Sequence, residues 1–202
     1  MATPMKALVE AYGCTLNRGE AEEFADGLVA RGCAITCDPA KADILAIFTC
    51  GVIETTERRM LRRISVFAGM PGKKLLVCGC LPNICADRVL QIAPGAILVG
   101  TAEHMAHLDV EPKVPVPAAS GTRAVGILPI ATGCAGDCAY CITKAARGRL
   151  RSRSPEELVA RLKTLVGLGS VEIQLCAQDT AVYGRDIGLR LSDLVGELAS
   201  VK

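Results

Sequence analysis

Short apolar runs alternate with longer segments of helical periodicity over the first hundred residues of the chain. Between the first two runs, Ala21, Phe24, Leu28 and Val29 recur at the spacing of one helix face. A similar apolar stripe, with arginines on its other sides, lies between the third and fourth runs. This order of strands and helices predicts a parallel sheet covered by helices. The predicted strands are residues 7–11, 33–36, 44–48, 74–78 and 96–99.

The alternation resumes after a break that is rich in proline. Three prolines fall within residues 111–123, which predicts a linker between a domain at 1–110 and a second α/β domain at 124–202. Residues 154–157, Ser-Pro-Glu-Glu, have the pattern of a helix start, with a capping serine, proline at the first position and glutamate three residues after the cap. Strands are predicted at 125–130 and 171–175, and a further helix at 191–198.

Composition narrows the class of protein. Half of the residues are hydrophobic but only 3% are aromatic, so the core must be aliphatic. No apolar run approaches the ~18 residues of a membrane span, and the N-terminus lacks the pattern of a signal peptide. We therefore expect a cytoplasmic protein without a membrane partner. The net charge of +2 neither indicates nor excludes a nucleic-acid partner.

Eleven cysteines are too many for an ordinary cytoplasmic chain, and their odd number fits a disulfide framework poorly. Cys134, Cys138 and Cys141 form the pattern C-x3-C-x2-C on a loop that contains glycine. Three thiolates at this spacing can hold three irons of a 4Fe-4S cube and leave the fourth iron open. A zinc knuckle is the competing interpretation, but it usually needs a second cysteine pair or histidine, and none lies nearby.

A second set of cysteines is distributed over the first domain. Cys14, Cys50 and Cys80 each follow a predicted strand, and each has a glycine beside it. Because the carboxyl ends of parallel strands share one edge of a sheet, these three thiols are expected to converge there. The competing interpretation is three unrelated buried thiols, since free cysteine is often a small core residue.

A basic run follows the cysteine loop directly. It contains no acidic residue and consists of Lys144, Arg147, Arg149, Arg151 and Arg153 within residues 142–153. Neutralisation of phosphates is the main source of affinity for nucleic acids, so the run predicts contact with RNA. An ordinary solvated surface segment is the alternative.

Several motifs together resemble the radical S-adenosylmethionine (SAM) methylthiotransferase family. They are Tyr12-Gly-Cys14-Thr-Leu-Asn17, Thr49-Cys50-Gly-Val, Cys78-Gly-Cys80-Leu-Pro82 and the loop at 134–141. Residues 141–149 and 178–186 are most similar to the archaeal and eukaryotic branch, which converts threonylcarbamoyladenosine beside the tRNA anticodon to its 2-methylthio form. The isopentenyladenosine tRNA enzymes and the ribosomal-protein aspartate enzymes are the alternatives within the family.

The resemblance implies a flavodoxin-like or Rossmann-like N-terminal domain, followed by a radical SAM (β/α) barrel. It implies two 4Fe-4S clusters, one on Cys134, Cys138 and Cys141 and an auxiliary one that carries the sulfur. The auxiliary ligands would be Cys14, Cys50 and Cys80. SAM would be split reductively to methionine and a deoxyadenosyl radical, which removes hydrogen from carbon 2 of adenine. The implied partners are tRNA and an electron donor such as a flavodoxin or ferredoxin.

Three further residues are candidate contacts of the cofactor or the substrate. Tyr140 matches the aromatic position that lies near the adenine of SAM in radical SAM enzymes, with plain packing as its alternative. Gln178 and Asp179 follow the second barrel strand, and active sites of such barrels gather at the carboxyl ends of the strands. The glycine-glycine-glutamate motif that contacts the methionine part of SAM in other radical enzymes is absent.

The length of the second domain departs from the family. About 80 residues follow the linker, whereas a complete barrel takes ~250, so the sequence predicts only the truncated start of a barrel. A fragment, a split gene product and a shortened protein all fit this ending, and we expect no turnover without the missing part. Three function classes follow: an enzyme completed in trans, a silent iron–sulfur module, and a tRNA-binding accessory protein.

Overall fold

The computed structural model describes residues 4–100 and 123–201. The predicted linker lies almost wholly outside these residues, so its bounds and those of the two domains remain predictions. The chain divides into two compact units, Met1–Ala119 and Ser120–Lys202. No helix in the described part of the chain combines the length and the apolar character that crossing a membrane requires.

A five-stranded, fully parallel sheet forms the centre of the first unit, as the alternation of strands and helices predicts. Its strand order is β2-β1-β3-β4-β5, so β1, β3 and β4 are neighbours. The strands are β1 (Lys6–Ala11), β2 (Ala34–Ile35), β3 (Ile44–Thr49), β4 (Lys74–Gly79) and β5 (Ile97–Val99).

Helices cover both faces of this sheet. Phe24 and Leu28 of α1 pack on one face, and the rings of Phe24 and Phe48 are 5.7 Å apart. On the other face, Met60 and Ile64 of α2 pack against aliphatic side chains of the central strands. The helices are α1 (Thr15–Ala30), α2 (Glu54–Ala68), α3 (Leu81–Ile84) and α4 (Ala86–Ile92), with a 3-10 turn at Pro39–Lys41.

A charged pair joins α2 to the end of β1. Arg63 donates from Nε to Oε2 of Glu10 at 2.8 Å and also pairs with the second carboxylate oxygen. The hydroxyl of Tyr12 donates to the same Oε2 at 2.8 Å. Burial alone would raise the pKa of Glu10, but the hydrogen bonds from Arg63 and Tyr12 outweigh it and lower this pKa. Ionised Glu10 therefore stabilises the folded unit.

Replacement of Glu10 by glutamine is expected to lower the free energy of unfolding by about 1 kcal/mol at neutral pH. Because the pKa of Glu10 is lower in the folded than in the unfolded state, its stabilisation is complete above the unfolded value of about 4.3. It is lost as the pH falls through the folded value, so the variant and the parent should converge in acid. Urea unfolding at neutral and acidic pH measures this. Arg58→Gln, which breaks an exposed pair with Glu54, is the control and should cost under about 0.5 kcal/mol.

The second unit is built on a pair of parallel strands. Residues Val125–Pro129 (β6) and Glu172–Cys176 (β9) pair in parallel, with Pro129 opposite Cys176. A short antiparallel pair, Ala131–Thr132 (β7) with Arg151–Ser152 (β8), was not predicted. The helices of this unit are α5 (Ile142–Arg147), α6 (Pro155–Gly167) and α7 (Leu191–Ala199), with a 3-10 turn at Thr180–Val182.

The start of α6 confirms the predicted capping pattern. The Ser154 hydroxyl accepts from the backbone of Glu157, whose side chain accepts from the Ser154 backbone, and Pro155 occupies the first turn. The helix packs through Leu158, Leu162 and Leu165 onto an aliphatic core shared with β6 and α7. The pairing of β6 with β9 places their carboxyl ends next to each other. The predicted site residues of this unit come after these two ends in the chain.

Candidate functional site

The first triplet of cysteines lies at the carboxyl edge of the five-stranded sheet. Cys14 follows β1 and caps α1, Cys50 follows β3, and Cys80 follows β4. These three strands are direct neighbours, so the topology brings the cysteines to one edge as predicted. Cys14 is exposed, Cys50 is half-buried and Cys80 is buried.

A buried hydrogen-bond network holds the three strand ends together. The Asn17 side chain, with no solvent exposure, donates from Nδ2 to the carbonyl of Tyr12 at 2.7 Å and to that of Thr49 at 2.8 Å. The Thr49 hydroxyl donates to the carbonyl of Cys78 at 2.5 Å, and the backbone N–H of Cys80 donates to the carbonyl of Thr49 at 2.9 Å. Asn17 and Thr49 thus position all three cysteine-bearing loops.

Sequence analysis did not single out these two residues as part of the site. The available signal was their position, since Thr49 directly precedes Cys50 and Asn17 follows Cys14 by three residues. Polar residues of this kind are favoured in turns and caps, which makes them easy to dismiss as local structure.

Glycines let the loops of the first triplet approach each other closely. A Cβ atom on Gly13 would lie 2.5 Å from the Cβ of Cys50 and 3.1 Å from its sulfur. A Cβ atom on Gly79 would lie 2.5 Å from the backbone oxygen of Thr49, and Gly79 has a φ of +86°. Any other residue would push the strand ends apart, so these glycines fit a site that gathers three thiols.

Three thiols on neighbouring strand ends are the donor type that an iron–sulfur cluster uses. In residues 4–100 and 123–201, no three His, Cys, Asp or Glu side chains are grouped as a single metal ion requires. In a 4Fe-4S cube each thiolate binds a separate iron. All eleven cysteines lie in the described residues and none forms a disulfide. Each is therefore a free thiol, from which a thiolate ligand can form.

The second triplet lies on the loop between β7 and β8. Backbone contacts hold the start of this loop against the residues just before β8. Gly133 has a φ of +74°, and a Cβ atom there would lie 2.0 Å from the backbone oxygen of Arg149. The backbone N–H of Cys134 donates to the carbonyl of Gly148 at 3.2 Å, and that of Cys141 donates to Cys138 at 3.1 Å. The glycine therefore allows the first cysteine to sit directly against the returning chain.

Two of the sulfur atoms on this loop accept hydrogen bonds, and at Cys141 these favour the thiolate form. The Gly136 N–H donates to the Cys134 sulfur at 3.2 Å. Hydrogen bonds from the Thr143 hydroxyl and from the backbone of Lys144 and Thr143 lower the pKa of the Cys141 thiol. The thiolate is the metal-binding form of cysteine, so these donors fit a cluster ligand.

Cysteines outside the triplets show the opposite electrostatics. Burial raises the pKa of the thiols of Cys33, Cys78 and Cys85. Cys78 lies in β4 with no solvent exposure, and Cys176 is likewise buried at the end of β9. The thiols of Cys33, Cys78 and Cys85 are thus held neutral, which agrees with a packing role.

A cavity of about 390 Å3 opens beside Cys134. Lys144 reaches Asp137 across the loop, and this hydrogen bond lowers the pKa of the aspartate. Asp186 accepts from the backbone N–H of Ser152 at 2.8 Å. Three cations, Lys144, Arg149 and Arg185, line the cavity with two carboxylates, so its net charge is positive. Arg185 and Asp186 lie in the segment 178–186 used for the resemblance, but sequence analysis assigned them no role.

The predicted SAM and substrate contacts lie past the carboxyl ends of the strands or on the cysteine loop. Tyr140 is 91% exposed. Asp179 accepts from the backbone N–H of Ala181 at 3.0 Å and caps the 3-10 turn after β9. The side-chain oxygen of Gln178 is buried without a hydrogen-bond partner among the described residues, and so is the hydroxyl of Thr132. Such atoms fit contacts with a polar ligand.

The structure divides the basic run into two groups. Arg147 is only 4% exposed, and Arg153 donates to the carbonyl of Pro129 at 3.2 Å, so both belong to the fold of the second unit. Lys144 is paired with Asp137. Arg149 and Arg151 are exposed. The burial of Arg147 excludes it from contact with RNA in this conformation, contrary to the grouping made from the sequence.

Comparison with known proteins assigns both units. Residues 6–100 match the family described as "Uncharacterized protein family UPF0004", and residues 128–198 match the "Radical SAM superfamily". The second unit thus contains a radical SAM domain, and its cysteine loop falls within the matched residues.

Curated relatives of the chain have methylthiotransferase names. The chain is 35% identical over 98% of its length to a "Probable threonylcarbamoyladenosine tRNA methylthiotransferase" of Pyrococcus abyssi, of which it covers 51%. A protein of the same name from Methanocaldococcus jannaschii is also 35% identical over 98% of the chain, which covers 50% of it. The "Ribosomal protein uS12 methylthiotransferase RimO" of Anaeromyxobacter sp. (strain K) is 33% identical over the whole chain, which covers 48% of it.

The chain belongs to the radical SAM methylthiotransferase family. It spans about half the length of the curated relatives it matches.

Proposed function

We propose that this chain serves the methylthiolation of carbon 2 of threonylcarbamoyladenosine next to the tRNA anticodon. The observation that carries the proposal is the pair of cysteine triplets, one in each unit and each just past the carboxyl ends of parallel strands. The archaeal relatives at 35% identity are named for this nucleoside, which favours it over the other substrates of the family.

Each triplet holds one 4Fe-4S cluster in this proposal. Cys134, Cys138 and Cys141 would hold the cluster that binds SAM, and the hydrogen bonds to the Cys141 sulfur stabilise its thiolate. Cys14, Cys50 and Cys80 hold the auxiliary cluster, positioned by Asn17 and Thr49. When bound, the two clusters supply the electron for reductive cleavage of SAM and the carrier of the transferred sulfur.

The residues around the second triplet orient SAM and RNA. The unpartnered amide oxygen of Gln178 and the hydroxyl of Thr132 are the proposed polar contacts, and exposed Tyr140 offers a ring beside Cys141. Asp179 fixes the turn that follows Gln178. Arg149, Arg151 and Arg185 provide positive charge for RNA phosphates near the cavity. A flavodoxin or ferredoxin is the proposed electron donor.

Methylthiolation is tested with anaerobically reconstituted chain, SAM and a reductant. Because the chain spans half of its relatives, the reaction is run alone and with the remaining half of the Pyrococcus abyssi relative added. Three substrates are compared: a tRNA anticodon stem-loop with threonylcarbamoyladenosine, one with isopentenyladenosine, and a uS12 peptide. We expect mass spectrometry to show one added methylthio group on the first substrate in the mixture of both halves.

The other outcomes separate the alternatives. If product forms on only one of the other substrates, that substrate replaces threonylcarbamoyladenosine in the proposal, and methylthiolation remains the assigned reaction. Reconstituted protein that holds iron but never cleaves SAM, alone or mixed, would overturn the radical SAM function and leave a non-catalytic module. A Cys134→Ala variant serves as the control for cleavage that does not depend on the cluster.

A further inference from the structure

An arginine lies over a tyrosine ring beside the first cysteine triplet. Tyr12 precedes Cys14 by two residues, and its hydroxyl is held by Glu10, which is held in turn by Arg63. The guanidinium carbon of Arg59 is 5.9 Å from the centroid of the Tyr12 ring. The hydroxyl of Tyr12 is therefore fixed by its hydrogen bond to Glu10, and Arg59 of α2 lies over its ring.

The charges on α2 leave a positive surface at this place. Glu54 pairs with Arg58, and Glu57 pairs with Arg88, so both acidic residues of the first turn are neutralised. Arg59 and Arg62 are exposed and have no carboxylate partner among the described residues. Three residues apart on one helix, they lie on neighbouring positions of its surface.

The chemistry of this surface matches an unpaired stretch of RNA. Proteins bind single-stranded RNA by stacking bases on aromatic rings or on planar arginine groups, and by pairing arginines with phosphates. The guanidinium of Arg59, which lies over the Tyr12 ring, provides a group on which a base can stack, and Arg62 provides a cation for the adjoining phosphate. An acidic protein would use the two cations but would gain nothing from the planar stack.

We propose that Tyr12, Arg59 and Arg62, which we call the Arg–Tyr surface, bind the single-stranded loop of the RNA substrate beside the first cysteine triplet. This inference rests on the proposed function, because it takes RNA as the substrate. It adds a contact in the first unit to the basic residues of the second. It also gives the auxiliary site a means of holding the nucleotide that receives the sulfur.

The test measures binding of a fluorescent tRNA anticodon stem-loop to the reconstituted full chain by anisotropy at several salt concentrations. Arg59→Gln with Arg62→Gln should weaken binding roughly tenfold and reduce the magnitude of the slope of log K against log salt by about 0.7, the value for the one phosphate contact assigned to Arg62 on a single strand. Arg59→Lys keeps the charge but loses the plane, so it should weaken binding while keeping the slope.

The matched control removes two charges from the opposite edge of the sheet. Arg31 follows α1 and Lys41 precedes β3, so Arg31→Gln with Lys41→Gln lies at the amino ends of the strands. This pair should leave both the affinity and the slope unchanged. Iron content and the thermal unfolding midpoint are measured for every variant, so that a loss of binding through unfolding is recognised.

The failure of this inference differs from the failure of the proposed function. If the parent binds and Arg149→Gln with Arg151→Gln weakens binding, but the Arg59 and Arg62 variants do not, only the Arg–Tyr surface is refuted. The Arg–Tyr surface is also refuted if the control pair weakens binding equally, because the loss would then reflect the overall charge of the protein and not a specific contact. A parent that binds no RNA, either alone or with the remaining half of the relative added, would refute both, and an acidic electron donor would become the partner to test against Arg59 and Arg62.

Discussion

Replacement of Cys134, Cys138 and Cys141 together by alanine is expected to halve the iron content and abolish reductive cleavage of SAM. Two cubes carry about eight irons per chain, so the triple variant should retain about four. The reason is structural, since the two triplets belong to different units and share no ligand. Iron and sulfide analysis after anaerobic reconstitution gives the first readout. Deoxyadenosine, measured by chromatography with the remaining half of the relative added, gives the second.

The reciprocal variant separates the roles of the two triplets. Alanine at Cys14, Cys50 and Cys80 should also leave about four irons, but SAM cleavage should persist because the open iron is on the other loop. Alanine at Cys33, Cys37 and Cys85 is the control for removing three thiols and should leave all the iron in place. Deoxyadenosine formation by the first variant, or iron loss in the control, would contradict the assignment of the triplets.

The parallel sheet of the first unit was predictable because burial dominates its sequence. All six residues of β3 are buried, and such a strand is a continuous apolar run. The apolar run at 44–48 predicted the end of β3 to within one residue, and the run at 74–78 did the same for β4. Because the strands are parallel, the position of Cys14, Cys50 and Cys80 at one edge of the sheet followed from topology alone, and their role as cluster ligands stays a prediction.

Features that depend on contacts between distant segments were not predictable from the pattern. The β7–β8 pair has two residues in each strand, too few to show a period. Arg147 looked equivalent to Arg149 along the sequence, but the short helix α5 turns it into the interior while its neighbour stays exposed. The bonds of Asn17 to the carbonyls of Tyr12 and Thr49 likewise join three segments that only the fold brings together.

A second large effect is expected from Gly79→Ala, which should destabilise the first unit by about 2–5 kcal/mol. A left-handed backbone costs a residue other than glycine about 1–2 kcal/mol, and forcing an atom into a packed site adds about 1–3 kcal/mol. The added Cβ would lie 2.5 Å and 2.8 Å from the backbone oxygen and nitrogen of Thr49, which cannot move without breaking the pairing of β3 with β4.

Gly72→Ala is the control, because it adds only the cost of a left-handed backbone at a residue other than glycine. Its φ is +76°, close to that of Gly79, but an added Cβ would meet no atom within 4 Å. Gly72→Ala should therefore cost only about 1–2 kcal/mol in urea unfolding. Hydrogen exchange of the amides of β3 and β4 then locates the additional loss in Gly79→Ala.

The same substitution links packing to the auxiliary site. Because Cys50 follows Thr49 and Cys80 follows Gly79, pushing the two strand ends apart separates two ligands of one cluster. We therefore expect Gly79→Ala to lose about four irons and to keep SAM cleavage, whereas Gly72→Ala keeps all the iron. Equal stability of the two variants would show that the strand ends are not in contact at Gly79. Full iron in a destabilised Gly79→Ala would show that the first triplet does not depend on the spacing of β3 and β4.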